Sequence, residues 1–478
     1  MAPNTPPGRP GTLTPDEERK LRELWAMVLR VFGVDAASEE TNGVESASLS
    51  TATDASVTDG KKEKKKSRLN VFKRNKADKS DRTEVETPAA SGNAAPDMSR
   101  LSLSADDDKF GQTAEFKAAI ANTPPEELRR AFWSMVKHDH PDALLLRFLR
   151  ARKWNVEKAL IMMISTMHWR VDEMHVDDDI VKNGELGALQ ATSGDAKAKK
   201  DAEDFLTQLR MGKSYLHGLD KEGRPMCFVR ARLHKAGEQT EASLEKFTVY
   251  TIETARMLLR PPIDTATIVF DMTDFSMANM DYTPVKFMIK CFEANYPESL
   301  GTVLVYKAPW VFNAIWSIIR GWLDPVVASK VHFAKNIDEL AQYVPKSQIP
   351  VELGGNEEWK YSYSEPVPGE NDRMLEEKPK REQESEREAI VKNYESTILQ
   401  WVHEGDAGKS LEERRKDRDE IAERLRQNYW KLDPYVRARS LYDRIGVLQT
   451  GGKLDFYGQA KENAAPLKPV DTSADDLD

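Results

Sequence analysis

The side chains most able to break bonds or hold metals are few in this sequence and poorly spaced for either task. Eight histidines are scattered along the chain. His138 and His140 stand close together, but they precede Pro141 with no cysteine and no second pair nearby, so they read as exposed loop residues rather than metal ligands. The two cysteines, Cys227 and Cys291, are too few for a disulfide framework and lack metal-ligand spacing. Cys291 falls in a helical pattern, where a buried free thiol is expected. No Gly-x-Gly-x-x-Gly follows a strand, and there is no Walker loop, no Gly-x-Ser-x-Gly elbow and no His-Glu-x-x-His. Nothing assembles a nucleophile, a base and an oxyanion hole, so the reading is of a non-enzymatic protein without cofactor or metal. The chemistry left is that of apolar surface and of fixed charge.

Apolar surface is concentrated in the stretch APWVFNAIWSIIRGWLDP, residues 308–325, which holds three of the ten tryptophans. Prolines at both ends leave room for a helix of about four turns. A surface helix normally hides one apolar stripe roughly 100° wide. Here Ala314, Ile318, Val311, Trp322, Ile315, Ile319, Phe312, Leu323 and Trp316 cover about 200° without a break, at 100° per residue. Asn313, Ser317, Arg320 and Gly321 fill the remaining gap. A partner interface, a membrane surface or an internal cavity would each use a second apolar face. Burial on both sides within the fold would use it equally well.

The elements around this stretch follow from composition and periodicity. With 478 residues, 40% hydrophobic and 31% charged, the chain has room for roughly two to four domains and a large solvated fraction. A net charge of −9 argues against a dedicated nucleic-acid binder. No apolar run reaches membrane-spanning length and no signal-peptide core follows Met1, so a cytoplasmic protein is expected.

Thr14-Pro-Asp-Glu17 is a capping box that opens an N-terminal helix in segment 14–33. Segment 34–109 loses all periodicity and reads as a disordered low-complexity linker. It contains a basic run at 61–76 that suits a solvated linker, anionic lipid or a nuclear address. Segment 110–198 reads as a helical lobe, with helices over about 142–150 and, capped by Asn155, from Val156; 183–200 reads as a polar loop or weak helix. Loop closure costs grow only logarithmically with length, so helix 15–32 is expected to dock on this helical lobe despite the long linker.

Segment 199–360 alternates strand and helix. Strands are expected on both sides of a turn at Asp220–Gly223, at Ala266–Asp271, at Gly301–Lys307 and near Val331–Phe333. That pattern predicts an α/β lobe with a largely parallel or mixed sheet. Segment 361–460 is a charged helical extension with apolar stripes, including a helix started by Pro434, and 461–478 reads as a disordered tail.

Four blocks in unbroken order resemble the CRAL-TRIO lipid-binding family, and most closely its fungal phosphatidylinositol-transfer members. They are LLLRFLRARKWNVEKA, DKEGRPMCFVRA, YPESLGTVLVYKAPWVFNAIWSIIRGWLDPVVASK and VPKSQIPVELGG, across about residues 125–360. The resemblance implies an all-helical N-terminal lobe and an α/β lobe enclosing an apolar lipid cavity, with the tryptophan-rich stretch as a movable gate helix. It carries a lipid headgroup site onto Arg152, Lys153, Glu298 and Lys330. Cations suit a phosphodiester and a carboxylate suits inositol hydroxyls, so the residue types agree with that assignment. The family's threonine before the last lysine is Val327 here, and its choline-site hydroxyls fall on Ala266 and Ile268, which speaks against phosphatidylcholine.

Acyl chains are expected against Phe270, Phe287, Phe312, Ile315, Trp316 and Ile319. Trp310, Trp316 and Trp322 suit a membrane interface, where an indole rests between wet and dry regions. The function implied is a monomeric carrier of phosphatidylinositol, with no nucleic-acid partner and only transient contact with membrane surfaces, endoplasmic reticulum and endosome being the candidates. A neutral lipid such as a sterol or other isoprenoid is one alternative ligand. A lipid-sensing adaptor that recruits protein partners is an alternative of another class.

Overall fold

The computed structural model describes residues 5–34, 98–405 and 409–457. The basic run 61–76, residues 35–97 of the 34–109 linker and the 461–478 tail lie outside the described residues.

Helix α1 (Pro15–Val31) starts at the expected capping box, with Thr14 N donating to Glu17 at 2.8 Å and Glu17 N to the Thr14 hydroxyl at 3.3 Å. It belongs to the same unit as the chain from Leu101 onward. Its apolar face is fully buried at Leu21, Leu24, Trp25 and Val28, so the docking expected across the linker is realised. The helical lobe comprises α2 (Gln112–Asn122), α3 (Pro125–Val136), α4 (Pro141–Ala151) and α5 (Val156–His168), the last capped by Asn155. Trp25 Nε1 donates to Asp142 Oδ1 at 2.8 Å, which fixes α1 to the start of α4.

One local expectation is resolved here and another fails. Of the polar loop or weak helix expected over 183–200, the helix forms: α6 (Lys182–Ala191) and α7 (Ala196–Arg210) occupy this region. Asp195 caps α7, but the apolar residues Phe205, Leu206 and Leu209 come only in its second half. In α6 the buried Glu185 takes hydrogen bonds from Tyr250 Oη at 2.6 Å and Leu441 N at 2.9 Å, partners no local pattern reveals. His138 is buried against the rings of Tyr429 and Trp430 rather than exposed. His140 is half-buried and caps α4 by accepting from Asp142 N.

The sheet has five strands in the order β1 (Ser214–Leu219), β2 (Pro225–Arg230), β3 (Ala266–Asp271), β4 (Leu300–Tyr306) and β5 (Val331–Ala334). The β1–β2 pair is antiparallel and the others are parallel, giving the mixed sheet expected. Crossovers carry α8 (Glu241–Met257), α9 (Tyr282–Lys290) and α10 (Phe312–Arg320). One face packs Tyr215, Phe228, Val269 and Leu304 against Leu340, Val344 and Ile349. Strand alternation turns Val229, Ile268, Phe270, Val303 and Val305 to the other face.

Helices α13 (Glu377–Glu404) and α14 (Leu411–Val436) come after α11 (Pro325–Ser329) and the short α12 (Ile337–Leu340). Pro434 does not start a helix as expected. It lies in the last turn of α14, where Arg437 and Arg439 hold the Asp433 carboxylate at 2.6 and 2.8 Å and stabilise the helix end. A buried node joins these helices to the lobe: Asp142 accepts from Arg418 Nε at 2.8 Å, Tyr394 Oη at 2.7 Å and Trp25.

Candidate functional site

The Ile268–Phe270 face of the sheet does not meet a solid core. Between it and α8, α9 and α10 lies an apolar cavity, with about 1380 Å³ of empty space including its open mouth. Val229, Ile268, Phe270, Val303 and Val305 form its floor. Phe247, Val285, Met288 and Ile289 form walls from α8 and α9, and Phe312, Trp316 and Ile319 of α10 close it.

α10 spans nine residues, about two and a half turns where about four were expected. Pro309 and Trp310 form a turn before it, Gly321 ends it, and Asp324 begins the separate α11. Its 200° arc is divided between two environments. Phe312, Ile315 and Ile319 are buried, while Ile318 is 47% exposed and Trp310, in the turn before the helix, 86%. The junction after α10 is tied down by Lys109, whose Nζ reaches Glu293 at 2.8 Å and the carbonyl of Trp322. Glu293 in turn accepts from Asp324 N at 2.7 Å.

Of the six residues expected against acyl chains, Phe270, Phe312, Trp316 and Ile319 line the space. The other two, Ile315 and Phe287, do not, and neither do Trp310 and Trp322, which were expected at the membrane interface. Ile315 points into a packed cluster with Met272, Ile289 and Val305. Phe287 packs beside Phe247 and Tyr250 in another cluster. Trp322 sets its ring edge-on against Tyr282 at 5.3 Å under Lys286, and Trp310 stands in solvent. On a nine-residue helix, one 100° step separates a lining residue from a packed one.

The four expected headgroup residues gather, with one exception, around residues 291–300. Lys330 Nζ donates to the carbonyl of Leu300 at 2.9 Å, two residues beyond Glu298. Arg152 bonds the side chain of Gln112, whose amide nitrogen reaches the carbonyl of Ala294 at 3.4 Å. Burial lowers the Arg152 guanidinium, against the pull of Asp107 and Asp108, and its buried Nε has no hydrogen-bond partner among the described residues. Lys153 is exposed, turned away by a left-handed backbone (φ 50°) after α4. None of the four lines the cavity, whereas Leu300, Val327 and Val331 beside them do.

Glu298 also has a left-handed backbone (φ 55°), and its carboxylate lies 4.0 Å from Arg150 rather than Arg152. Arg147 donates to its carbonyl at 2.7 Å. Burial, with Arg9 and Arg147 nearby, pushes the Arg150 guanidinium down to about 10. The segment is held from behind by Tyr296, whose hydroxyl donates to Glu253 at 2.8 Å. Burial alone would raise Glu253, but Arg170, Arg256 and Lys137 hold it well below the usual carboxylate range.

A comparison with known proteins agrees with this architecture. The CRAL/TRIO domain matches residues 209–355 and the CRAL/TRIO N-terminal domain residues 112–165. A relative from Schizosaccharomyces pombe, "CRAL-TRIO domain-containing protein C3H8.02", is 42% identical over 92% of this chain and 92% of its own. The chain belongs to the CRAL/TRIO lipid-binding family. A second relative, "Phosphatidylinositol transfer protein CSR1" of Eremothecium gossypii, is 38% identical over 94% of this chain and all of its own length. A solved structure, "Crystal structure of Sfh5", matches 42% of this chain and 66% of its own with 18% identity and a TM-score of 0.31, too distant to place any residue.

This CRAL/TRIO cavity also has a polar end that the sequence did not reveal. Lys213, Ser214, Arg230, His234 and Asp281 line it near the carboxyl ends of β2 and β3. No motif or spacing distinguishes Lys213 from the other lysines; only the fold turns it inward. Among the described residues no helix is long and apolar enough to cross a membrane.

Proposed function

We propose that this protein is a non-enzymatic carrier of phosphatidylinositol, which holds the acyl chains in its cavity and passes the lipid between membranes. The observation that carries the reading is the apolar cavity closed by a short helix, with Lys330 and Glu298 beside its Leu300 end. The name of the Eremothecium relative supports the choice of lipid. Burying acyl chains gains about 0.8 kcal/mol per CH₂ relative to water. A bilayer offers nearly the same gain, so exchange is close to isoenergetic and its rate is set by movement of α10. Arg152 and Lys330 supply positive charge for the phosphate, and Glu298 accepts from ring hydroxyls. Lys153, being exposed, meets the headgroup from the solvent side. The carrier acts as a cytoplasmic monomer, needs no cofactor or metal, and touches membranes transiently through the outer side of α10.

The test is transfer of phosphatidylinositol between vesicles by the wild type and by a Lys153→Ala/Lys330→Ala variant. The variant is expected to transfer at least tenfold more slowly, as two charge-assisted contacts are lost. Equal rates would dispose of the headgroup assignment. Mass spectrometry of lipid that co-purifies with the protein checks the ligand class, and recovery of neutral lipid alone would overturn the inositol reading.

A further inference from the structure

Lys213 is a charged side chain in a wall otherwise suited to hydrocarbon. It is 6% exposed and lines the cavity. Its Nζ donates to Gln239 Oε1 at 2.8 Å and faces Gln208 Oε1 at 3.5 Å, both neutral amide oxygens. Among the described residues no carboxylate pairs with it. Asp281 is engaged by His234 at 3.3 Å and by Thr283 N at 3.0 Å. Asp204 is engaged by Lys200 and by Thr240 N. Burial pushes the amine down to about 8, despite Glu238, Asp281 and Asp204 at longer range. A buried ammonium without a counter-ion is unfavourable, and such groups in cavities are candidates for ligand recognition.

The position is separate from the headgroup cluster. Arg230 N donates to Lys213 O at 2.9 Å, and Arg230 pairs with Asp271 at the far end of β3. Ala266, at the near end, pairs with Leu300. Five residue steps along β3 separate the two ends by roughly 16 Å.

We propose that Lys213 forms a second ligand subsite, which takes the carboxylate of a long-chain fatty acid whose tail lies along Ile268, Phe270 and Val303. The ligand's single negative charge supplies the missing counter-ion. Asp281 in the same wall opposes a more highly charged phosphate monoester. The inference rests on the cavity and its polar end, not on the inositol reading, and it survives if that reading fails.

The experiment is isothermal titration of the full chain, stripped of lipid, with palmitate and with hexadecanol, which has the same chain length and no charge. The wild type is expected to prefer palmitate by about tenfold or more, the value of one charge-assisted contact. Lys213→Met is expected to lose that preference while melting no lower than the wild type, because it removes an unpaired buried cation. If that variant fails to fold, Lys213→Gln, which keeps a polar group without the charge, decides the same comparison. Unchanged palmitate affinity in the folded variant would overturn the proposal, as would a wild type that binds both ligands equally. Tighter binding of hexadecyl phosphate, a phosphate monoester on the same single chain, than of palmitate would overturn the carboxylate assignment.

Discussion

Replacing Trp310 with serine tests whether the outer side of α10 meets a membrane. The indole is 86% exposed, far more than any structural role in the free protein requires. A tryptophan has roughly 200 Å² of surface to bury, so about 170 Å² of it is free here. At about 25 cal/mol per Å², full transfer into an apolar medium is worth about 4 kcal/mol. An interface buries roughly half of that area, leaving about 2 kcal/mol, or about a 30-fold change in partition. The assay is co-sedimentation with vesicles of phosphatidylcholine and phosphatidylinositol, alongside thermal melting. Trp310→Ser is expected to bind vesicles about 30-fold more weakly and to slow lipid transfer. Its stability should stay within about 0.5 kcal/mol of the wild type, as for other exposed positions. Vesicle binding within twofold of the wild type would refute the assignment of this surface to the membrane.

Ile315, five residues further on and inside α10, is 3% exposed and packed, so Ile315→Ala should cost about 2–5 kcal/mol in urea unfolding, the reverse of the Trp310 outcome. Asp142→Ala leaves the buried Arg418, among the described residues, with Glu18, 3.3 Å away, as its one carboxylate, and removes the acceptor of Trp25 and Tyr394. A loss of about 3–5 kcal/mol is expected, and retained stability would show that the node is not what fixes α1, α13 and α14 to the lobe. Burial pushes His138 down to about 4, whereas an unfolded histidine titrates near its usual 6.5. Its contribution to stability is therefore present above pH 6.5 and lost as pH falls toward 4, by about 3 kcal/mol at most. His138→Phe keeps the ring packing, and denaturation midpoints across that window should show a smaller slope than the wild type.

Much of the fold was legible because backbone hydrogen bonding and the sidedness of burial are local. The capping box at Thr14 and Glu17, the Asn155 cap and the apolar run at Ala266–Asp271 each specify an element within a few residues, and their order specifies a mixed sheet with helices upon it. The 200° apolar arc of residues 308–325 announced two apolar environments without saying which. Only the packing of α10 over the sheet sent Trp316 to the cavity, Ile315 to a packed cluster and Trp310 to solvent.

Charge was the least legible property. Arg418 meets Asp142 across 276 residues and Arg129 meets Glu395 across 266, separations at which no sequence window reports a partner. The same holds for Glu298, whose carboxylate lies 4.0 Å from Arg150, and for Lys213, whose inward position follows from the end of a strand. The sequence by itself determined which segments form helices and strands and that apolar surface is in excess, because those properties depend on near neighbours. The tertiary structure alone decided where that surface encloses space and which buried charges keep a partner, because both depend on residues that meet only after the chain has folded.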